Sequence, residues 1–582
     1  MKHKLCLLLA LVLGNPLLMQ AEEQEIILKW IHTSDVHGSL FSYNHLRRSP
    51  TTGGLASVYA YVQEQRRQWG DRLLLTDGGD VLQGQPEAYY YNFVDTLAPH
   101  LVAQCMNEIG YTAAALGNHD VETGHAVYDR WMAQCRFPVL GANVMDTRTG
   151  RPYLKPYTLV ERAGVRIAIL GLVTPAIPNW LPGVLWSGLH FEEMTAVARR
   201  WMRVIQEEEH PDLVVGLFHS GFDGGILTPE YRENATRQVA EEVPGFDLIC
   251  YGHDHQPLVA RIPNVVSGDT CVTLGPTSQA LRIGEAEIRL VLREGKVAEK
   301  YITARTPNIR LAQSSEALAF EARFTSQREA VATWVNRVIG YCPRALFERE
   351  AYFGPCEFID LVHQMQLDLT GADLSFAAPL SFDARIDSGP LHVSDMFALY
   401  KYENFLYTMR LTGREIKGFL EMSYGQWTNQ MRSPDDHILL LDTVLDNGRR
   451  QGLKHLAYNM DSAAGLLYTV DVTKPQGERV WIERLADGRP FDLDTWYTVA
   501  TNSYRGNGGG ELMTRGAGIP RDSLASRILT STEKDLRYYL IRRVEEQGGL
   551  APRCLNHWRF VPEEWTLPAL LRDRRVLFPD GE

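Results

Sequence analysis

Histidine, aspartate and asparagine residues recur in this 582-residue chain in five short segments, each placed directly after an apolar run: Asp35-Val36-His37, Gly79-Asp80, Gly117-Asn118-His119-Asp120, His219-Ser220-Gly221 and Gly252-His253-Asp254-His255. Imidazole, carboxylate and amide oxygen are the ligands that borderline divalent metals such as Zn, Mn, Co and Fe accept. Two hydrolytic metals also need a carboxylate that bridges them, and Asp80, which follows two glycines, is the natural candidate. The pattern predicts a two-metal site for hydrolysis at phosphorus.

The apolar runs before these segments indicate buried strands, at residues 26–31, 73–75, 113–116, 213–218 and 246–251. Ligands in open α/β sheets gather beyond the carboxyl ends of the strands, so segments that are distant in sequence can converge there. Helical spacing separates the runs, at residues 58–69, 128–135 and 194–209. This alternation predicts a layered α/β domain, which residues 285–292 and 300–304 complete as edge strands.

The rest of the chain indicates a second domain. Residues 314–339 begin with Ser and end before Gly340, which is typical of a capped helix, and we interpret them as a connector. Helical patterns at 356–370, 412–424 and 533–547 then belong to a mixed α/β unit. The predicted division is a signal peptide (1–21), a catalytic domain (22–310), a connector helix (311–340), a C-terminal domain (341–562) and a surface tail (563–582).

The N-terminus predicts export. A basic start precedes the apolar residues 5–13, and a break at 14–16 is followed by polar residues from Glu22. This layout is typical of a cleaved secretory signal that is too short to span a bilayer, and an N-terminal anchor helix is the alternative. We therefore expect a protein secreted across the inner membrane, in the periplasm or at the cell surface, without a stable membrane anchor.

The net charge of the chain limits the class of molecule that it can bind. The net charge of -12 argues against binding polymeric nucleic acid, whereas bound metal cations would still admit a small anionic substrate.

Removal of the signal would leave seven cysteines, an odd number. Cys342 and Cys356 flank a short loop and either form a disulfide or remain free thiols. The sequence does not specify the oligomeric state.

The series D-x-H, G-D, G-N-H, H-S-G and G-H-x-H resembles the calcineurin-like metallophosphoesterases. With the two-domain layout, the chain resembles the secreted 5'-nucleotidase and 2',3'-cyclic-nucleotide 2'-phosphodiesterase/3'-nucleotidase superfamily over nearly its whole mature length. The resemblance implies an N-terminal four-layer β-sandwich flanked by helices and a C-terminal α/β substrate domain. It also implies two divalent metals that share Asp80, one held by Asp35, His37 and His255 and the other by Asn118, His219 and His253.

The same resemblance implies the acid–base chemistry. A metal-bridging hydroxide would attack phosphorus in line, and His119 would stabilise the developing charge or protonate the leaving alkoxide. An acid three residues on assists this histidine in the family, which corresponds to Glu122 here, where Asp is more usual. Asp120 is the competing partner of His119.

The C-terminal half also resembles the family, in segments that bind the nucleobase of the substrate. Residues 400–406, 411–417 and 501–510 are similar to substrate-domain segments of the family. They imply a base stacked between Tyr458 and Tyr504 beside a substrate loop that contains Asn507, Gly508 and Gly509. The alternative for Tyr458 is a core tyrosine at a strand end.

Two departures bear on the substrate. Residues 377–382 read AAPLSF, closer to the cyclic-phosphodiesterase branch than to the G-G-x-R segment of the 5'-nucleotidases, and Gly510 stands where the 5'-nucleotidases carry Asp. We therefore favour a 2',3'-cyclic-nucleotide phosphodiesterase with 3'-nucleotidase activity. A 5'-nucleotidase or nucleotide-sugar hydrolase is the alternative, followed by a thiosulfohydrolase or a secreted metal-binding protein without activity.

Overall fold

The computed structural model describes residues 23–442 and 452–579, and its N-terminal half contains two six-stranded sheets. The first sheet has the strand order Lys296–Arg305, Gly284–Arg293, Gln24–Thr33, Leu73–Asp77, Ala113–Ala115 and Val139–Leu140. The second has the order Leu258–Pro263, Thr270–Gly275, Leu248–Tyr251, Leu213–His219, Val165–Val173 and Tyr157–Arg162. The interior strands that precede the metal-ligand segments run parallel, so their carboxyl ends lie together.

Helices cover the outer faces of the two sheets, and the sheets share an apolar core that includes Trp30, Leu74, Ile169 and Leu217. Leu55–Trp69, Leu101–Ile109 and His125–Gln134 cover the first sheet, and Met194–Val204 and Thr236–Glu242 cover the second. Interior strands such as Leu73–Asp77, Leu213–His219 and Leu248–Tyr251 are thus buried on both faces, which explains their continuous apolar runs in the sequence. The predicted four-layer α/β architecture is confirmed.

One strand was placed wrongly from its sequence. Gly284–Arg293 pairs with Gln24–Thr33 on one side and with Lys296–Arg305 on the other, so it is an interior strand and not an edge. Lys296–Arg305 is the edge strand, as expected. The pattern of residues 285–292 alternates because one face packs on the second sheet, and alternation by itself does not distinguish an edge from an interior strand.

The connector is not the single helix that its periodicity indicates. Two helices, Ser315–Ala322 and Thr325–Val335, are separated at Phe324, whose φ of -115° and ψ of 24° are not helical. The break lets Phe320 and Phe324 both pack on Phe41 of the catalytic domain. Gly340 lies in the following strand, Val338–Cys342, where a Cβ would come within 2.7 Å of the Gly549 backbone.

The C-terminal domain has a five-stranded and a three-stranded sheet. The larger has the order Ser462–Ala464, Leu374–Ala377, Trp496–Asn502, Phe405–Thr412 and Ile528–Asp535, and the smaller Val480–Leu485, Leu466–Asp471 and Trp558–Val561. The helices that pack on these sheets include Glu357–Thr370, Val393–Leu399, Gly413–Trp427 and Leu536–Gln547.

The predicted surface tail is wrong for most of its length, because Glu563–Leu577 forms a helix. Ala569 and Leu577 join the apolar core, and the buried Asp573 carboxylate accepts a hydrogen bond from the Leu439 backbone N–H at 2.8 Å. The predicted signal peptide lies outside the described residues. Within them, Cys342 and Cys356 are free thiols, and no helix has the length and apolar character needed to cross a membrane.

Candidate metal centre and substrate cleft

The five segments singled out in the sequence meet at the carboxyl ends of the parallel strands. Asp35 and His37 follow Gln24–Thr33, and Asp80 follows the neighbouring strand Leu73–Asp77. Backbone hydrogen bonds of 2.9 Å from Asp35 N to Gly79 O and from His37 N to Asp80 O continue the pairing beyond the strands. The other segments follow strands of both sheets in the same way, so one edge of the sandwich carries all seven candidate ligands.

Asp35, His37 and His255 form the first group, with ligand atoms all within 4.8 Å of one another. His255 Nε2 lies 3.1 Å from His37 Nε2 and 3.2 Å from Asp35 Oδ1. His37 Nδ1 contacts the Gln83 carbonyl at 3.2 Å, and a carbonyl only accepts, so this nitrogen carries the proton. In the neutral ring, Nε2 then directs its lone pair towards His255, which is the arrangement that a metal ligand needs.

Asp80, His219 and His253 form the second group, again within 4.8 Å. His219 Nδ1 donates to the Gly78 carbonyl at 2.7 Å, which leaves Nε2 facing Asn118 Oδ1 at 3.0 Å and Asp80 Oδ2 at 3.1 Å. His219 Nε2, Asn118 Oδ1 and Asp80 Oδ2 can each act as an acceptor, so either a proton on Nε2 or a bound cation must lie between them. The side chains therefore fit a divalent metal with nitrogen and oxygen ligands.

The electrostatics of this group favour a cation. Burial disfavours the charged form of Asp80, but the neighbouring His219 and His119 outweigh it and hold the pKa of Asp80 well below its usual range. Burial also lowers the pKa of His219, yet the charge and hydrogen bond of Asp80 raise it to about 9. The negative charge of the buried Asp80 carboxylate stabilises a proton on His219, and it would stabilise a bound metal ion in the same way.

Five of the thirteen described non-glycine residues with positive φ lie at this centre. Asp35, His37, Asp80, His253 and His255 have φ values of 54°, 50°, 60°, 85° and 58°. Residues with a Cβ rarely adopt this left-handed region, and each instance costs roughly 1–3 kcal/mol unless the surroundings enforce it. Such strain clusters at functional sites. The sequence does not reveal this left-handed backbone, since only the neighbouring glycines indicate tight turns.

Two acidic residues beside His119 have different contacts. Glu122 Oε2 lies 2.5 Å from His119 Nδ1. The Asp120 carboxylate instead accepts four backbone hydrogen bonds of 2.8–2.9 Å, from the N–H groups of Gly117, Asp80, Val81 and Leu82. The structure thus brings Glu122 and not Asp120 to the imidazole ring, which favours Glu122 over the competing Asp120 as the partner of His119. Asp120 fixes the loop that carries Asp80.

His119 is placed to hold a proton. Its backbone N–H donates to Asp80 Oδ1 at 2.7 Å, which ties it to the candidate bridging carboxylate. Burial lowers the pKa of His119, but the charges of Asp80 and Glu122 outweigh burial and raise it to about 10. The imidazolium form is therefore favoured in this setting.

Two residues at the centre carried no signal in the sequence. Glu233 Oε1 lies 3.0 Å from His253 Nε2, and the Trp180 ring lies 5.6 Å from the His253 ring. Both residues belong to loops without recognisable motifs, so only the structure reveals them. Glu233 fixes the orientation of His253, and Trp180 forms an aromatic wall between His253 and the second domain.

The predicted base-binding residues lie at the junction of the two domains. The rings of Tyr458 and Tyr504 meet edge to face, with centroids 6.2 Å apart, and Tyr402 contacts Tyr458 at 6.4 Å. Asn507 Nδ2 donates to the Trp180 carbonyl at 3.3 Å, which joins the substrate loop to the wall of the metal centre. Gly509 lies so close to Tyr504 that a Cβ would come within 2.5 Å of the ring.

Arg505 links the two tyrosines. Its guanidinium is buried and donates to the carbonyls of Tyr458 and Gly509 at 2.6 and 2.5 Å and to Asp461 Oδ2 at 2.6 Å. Gly508, with φ of 97°, turns the loop between Arg505 and Gly509. Since these contacts occupy the guanidinium, Arg505 shapes the loop and is not presented to a phosphate.

Comparison with known proteins places both halves of the chain in families. Residues 28–257 match the calcineurin-like phosphoesterase family, and residues 336–515 match the 5'-nucleotidase C-terminal domain. A 2',3'-cyclic-nucleotide 2'-phosphodiesterase/3'-nucleotidase of Yersinia enterocolitica is 24% identical, over 93% of this chain and 89% of its own length. The trifunctional nucleotide phosphoesterase YfkN of Bacillus subtilis is 25% identical over 96% of this chain, which spans only 41% of that protein.

A solved structure supports the fold alone. The 5'-nucleotidase precursor of Thermus thermophilus superposes with a TM-score of 0.60, at 22% identity, over 92% of this chain and 100% of that one. The two matched domains, in this order, agree with the two-domain architecture and with the metal-ligand segments at the strand ends. Residues 28–257 therefore belong to the calcineurin-like phosphoesterases and residues 336–515 to the 5'-nucleotidase C-terminal domains, and the chain is a phosphoric ester hydrolase.

Proposed function

We propose that this protein is a secreted, metal-dependent nucleotide phosphohydrolase, with 2',3'-cyclic-nucleotide 2'-phosphodiesterase and 3'-nucleotidase activity. The observation that carries the proposal is the convergence of two metal-ligand groups, Asp35/His37/His255 and Asp80/His219/His253, on one edge of the sandwich beside the tyrosines of the second domain. Asp80 Oδ2 faces His219 of the second group, and the Asp80 carbonyl accepts a hydrogen bond from the His37 backbone N–H of the first, so Asp80 lies between the two groups. The named activities of the Yersinia enterocolitica relative agree with this assignment.

The candidate ligands would hold two divalent ions of the Zn, Mn, Co or Fe type. Bound there, such ions supply the Lewis acidity that activates water and neutralises charge on phosphoryl oxygens. The protein's own contribution is to keep Asp35 and Asp80 ionised, to fix the His37 and His219 tautomers through the Gln83 and Gly78 carbonyls, and to orient His253 through Glu233.

His119 supplies the proton. Because Asp80 and Glu122 favour its imidazolium form, His119 can donate to the leaving alkoxide or stabilise negative charge that develops on the phosphoryl group. Glu122 holds Nδ1, which leaves Nε2 as the atom that faces the substrate. Glu122 is thus a positioning residue.

Tyr504 and Tyr458 would hold the nucleobase. They lie in two short helices, Ala457–Asn459 and Ser503–Gly506, which Arg505 joins, and the substrate loop reaches Trp180 at the metal centre through Asn507. A base stacked on these rings would place its ribose phosphate towards the metals. Stacking accepts every base and contributes about 1–3 kcal/mol per base, so the site would accept purines and pyrimidines.

The segment at residues 377–382 favours the cyclic-nucleotide branch over a 5'-nucleotidase. It carries no arginine, and Glu348 holds it by accepting backbone hydrogen bonds from Leu380 and Ser381 at 2.6 and 3.0 Å. Arg505 is occupied by its own contacts. The 5'-nucleotidase or nucleotide-sugar hydrolase is the second candidate, and the family of the C-terminal domain favours it.

Phosphate release from matched 2',3'-cyclic, 3'- and 5'-nucleotides, with and without chelator, tests the proposal. We expect hydrolysis of the 2',3'-cyclic and 3'-nucleotides that chelation abolishes and added divalent metal restores. Preference for 5'-nucleotides would establish the second candidate, and turnover without metal would overturn both. Cell fractionation followed by N-terminal sequencing tests secretion, and a chain that stays in the cytoplasm and retains residues 1–21 would contradict it.

A further inference from the structure

A second group of metal-ligating side chains lies buried in the C-terminal domain, remote from the strand ends of the sandwich. Asp360, His363 and His557 each offer a ligand atom, and these atoms lie within 4.8 Å of one another. All three side chains are buried, with exposures of 1%, 0% and 4%. Asp360 and His363 share one face of helix Glu357–Thr370, and His557 precedes strand Trp558–Val561.

His557 is the observation that points to a ligand. Neither ring nitrogen makes a hydrogen bond of normal length and angle among the described residues, although the side chain is almost completely buried and only the Ala463 backbone lies close enough to favour its charged form. Buried polar groups normally have partners, and an unpaired one costs about 1–3 kcal/mol. A neutral imidazole in this position has a lone pair that it can offer to a cation.

The distances in this group suit a shared ion better than direct hydrogen bonds. Asp360 Oδ2 accepts from the Leu555 backbone N–H at 2.7 Å, which leaves Oδ1 facing His557 Nδ1 at 3.8 Å. That separation exceeds a hydrogen bond. Two ligands of a tetrahedral zinc, each ~2 Å from the ion, are ~3.3 Å apart. A shift of a few tenths of an ångström would let both atoms coordinate one ion.

His363 completes the ligand set. Its Nδ1 and Nε2 contact the hydroxyls of Ser375 and Ser462 at 2.9 and 3.1 Å. A hydroxyl can rotate to donate or accept, so coordination by one ring nitrogen requires only one serine contact to be given up.

We propose that Asp360, His363 and His557 form a separate structural metal site that binds one zinc-like divalent ion. Two imidazoles and a carboxylate match the ligand preferences of Zn²⁺, and a buried, closed setting is typical of structural sites. The ion would join helix Glu357–Thr370 to the start of strand Trp558–Val561 and so fix the loop between Gly549 and His557. This inference does not depend on the reaction at the other domain.

Metal counting on the full chain tests the proposal. After chelation and reconstitution with Zn²⁺ alone, elemental analysis should give one more ion per chain in the wild type than in His557→Gln. His100→Gln is the matched control, because His100 is also buried but forms a hydrogen bond with Asn92 and belongs to no group of metal ligands among the described residues. Its metal content should equal that of the wild type, and phosphate release by His557→Gln should stay within about twofold. Equal ion counts in wild type and His557→Gln would overturn the site.

A measurement on the wild type covers the case in which His557→Gln does not fold. Hydrogen exchange of the chelated protein should slow on addition of Zn²⁺ in peptides spanning 357–370 and 550–561, as well as around the metal centre of the catalytic domain. Coordination fixes both segments, and local opening sets exchange rates. Protection confined to the catalytic domain would contradict the proposal, even if that domain proves to be an active nucleotidase.

Discussion

At the scale of single residues, Glu122 and Asp120 are two positions apart, but their carboxylates have different tasks. Glu122→Gln should lower kcat and leave the free energy of unfolding unchanged, because the amide keeps the His119 contact but lacks the charge that holds its proton. Asp120→Asn should lower the free energy of unfolding, by ~1–3 kcal/mol for each backbone N–H left facing its amide NH2 group. Phosphate release and urea denaturation separate the two effects, and the opposite pattern would make Asp120 the partner of His119.

Loss of the His119 side chain should lower turnover without lowering the metal content. His119→Ala should retain the metal content of the wild type and lose ~10²–10⁴-fold in kcat, the contribution expected of a positioned acid. The physical reason is that the His119 backbone N–H, which the substitution keeps, makes the contact to Asp80. Elemental analysis beside the rate assay checks this. A missing ion would place His119 among the ligands.

His100 gives the protein a defined sensitivity to acid. Burial, followed by the charge of Arg130, lowers the pKa of His100 from 6.5 to about 3 in the folded state. The unfolded chain therefore binds one more proton between these pH values, and stability falls as pH decreases through them, by ~1.4 kcal/mol per unit. We expect His100→Gln to reduce this slope by about one proton in urea titrations from pH 6.5 to 4. An unchanged slope would show that His100 titrates normally in the folded protein.

At the scale of elements, the turns after the strands control how closely the metal ligands approach. A Cβ on Gly117 would lie 2.1 Å from Asp80 Oδ1 and 2.3 Å from Asp80 N. Gly117→Ala should therefore displace Asp80, lower the metal content and reduce turnover by about 10²-fold, as a misplacement of 1 Å can. Gly183→Ala is the control, because its Cβ would meet only Trp186, at 3.8 Å. Comparable losses in both variants would assign the effect to general destabilisation.

The strands could be predicted from the sequence, whereas the break in the connector and the last helix could not. Strands such as Val165–Val173 are buried on both faces, so a continuous apolar run identifies them. The break at Phe324 depends on contacts with Phe41, which lies nearly three hundred residues earlier in the chain. Helix Glu563–Leu577 has charged residues and an internal proline, Pro568, and its buried face becomes visible only against the second core. Local periodicity does not contain such long-range contacts.

At the scale of the whole molecule, the strand-end rule predicted which segments converge, because parallel strands share an edge. Sequence could not predict the left-handed backbone of Asp35 or the neighbours Glu233 and Trp180, since these depend on how separate loops fold against one another. The roles of the candidate ligands stay predictions. The domain junction was also invisible in the sequence: Tyr89 donates to Asp535 at 2.9 Å and stacks on Trp334 of the connector.

This junction gives the prediction that joins the two domains. Productive binding requires the metals of the first domain and the tyrosines of the second to hold one substrate, with the connector as the proposed pivot. The rings of Tyr458 and Tyr504 are perpendicular here, so a base must turn one of them to stack between both. Tyr504→Ala should raise KM for nucleotides roughly 5- to 150-fold, which corresponds to ~1–3 kcal/mol of stacking.

A substrate without a nucleobase distinguishes this clamp from a structural tyrosine. Bis(p-nitrophenyl) phosphate reaches the metals but has no base to stack, so Tyr504→Ala should leave its kcat/KM nearly unchanged. Trp481→Ala, which removes an exposed aromatic ring from the same domain, should affect neither substrate. If Tyr504→Ala slows both substrates equally, Tyr504 supports the fold through its contact with Gly509, and nucleotide recognition by the second domain loses its main physical support.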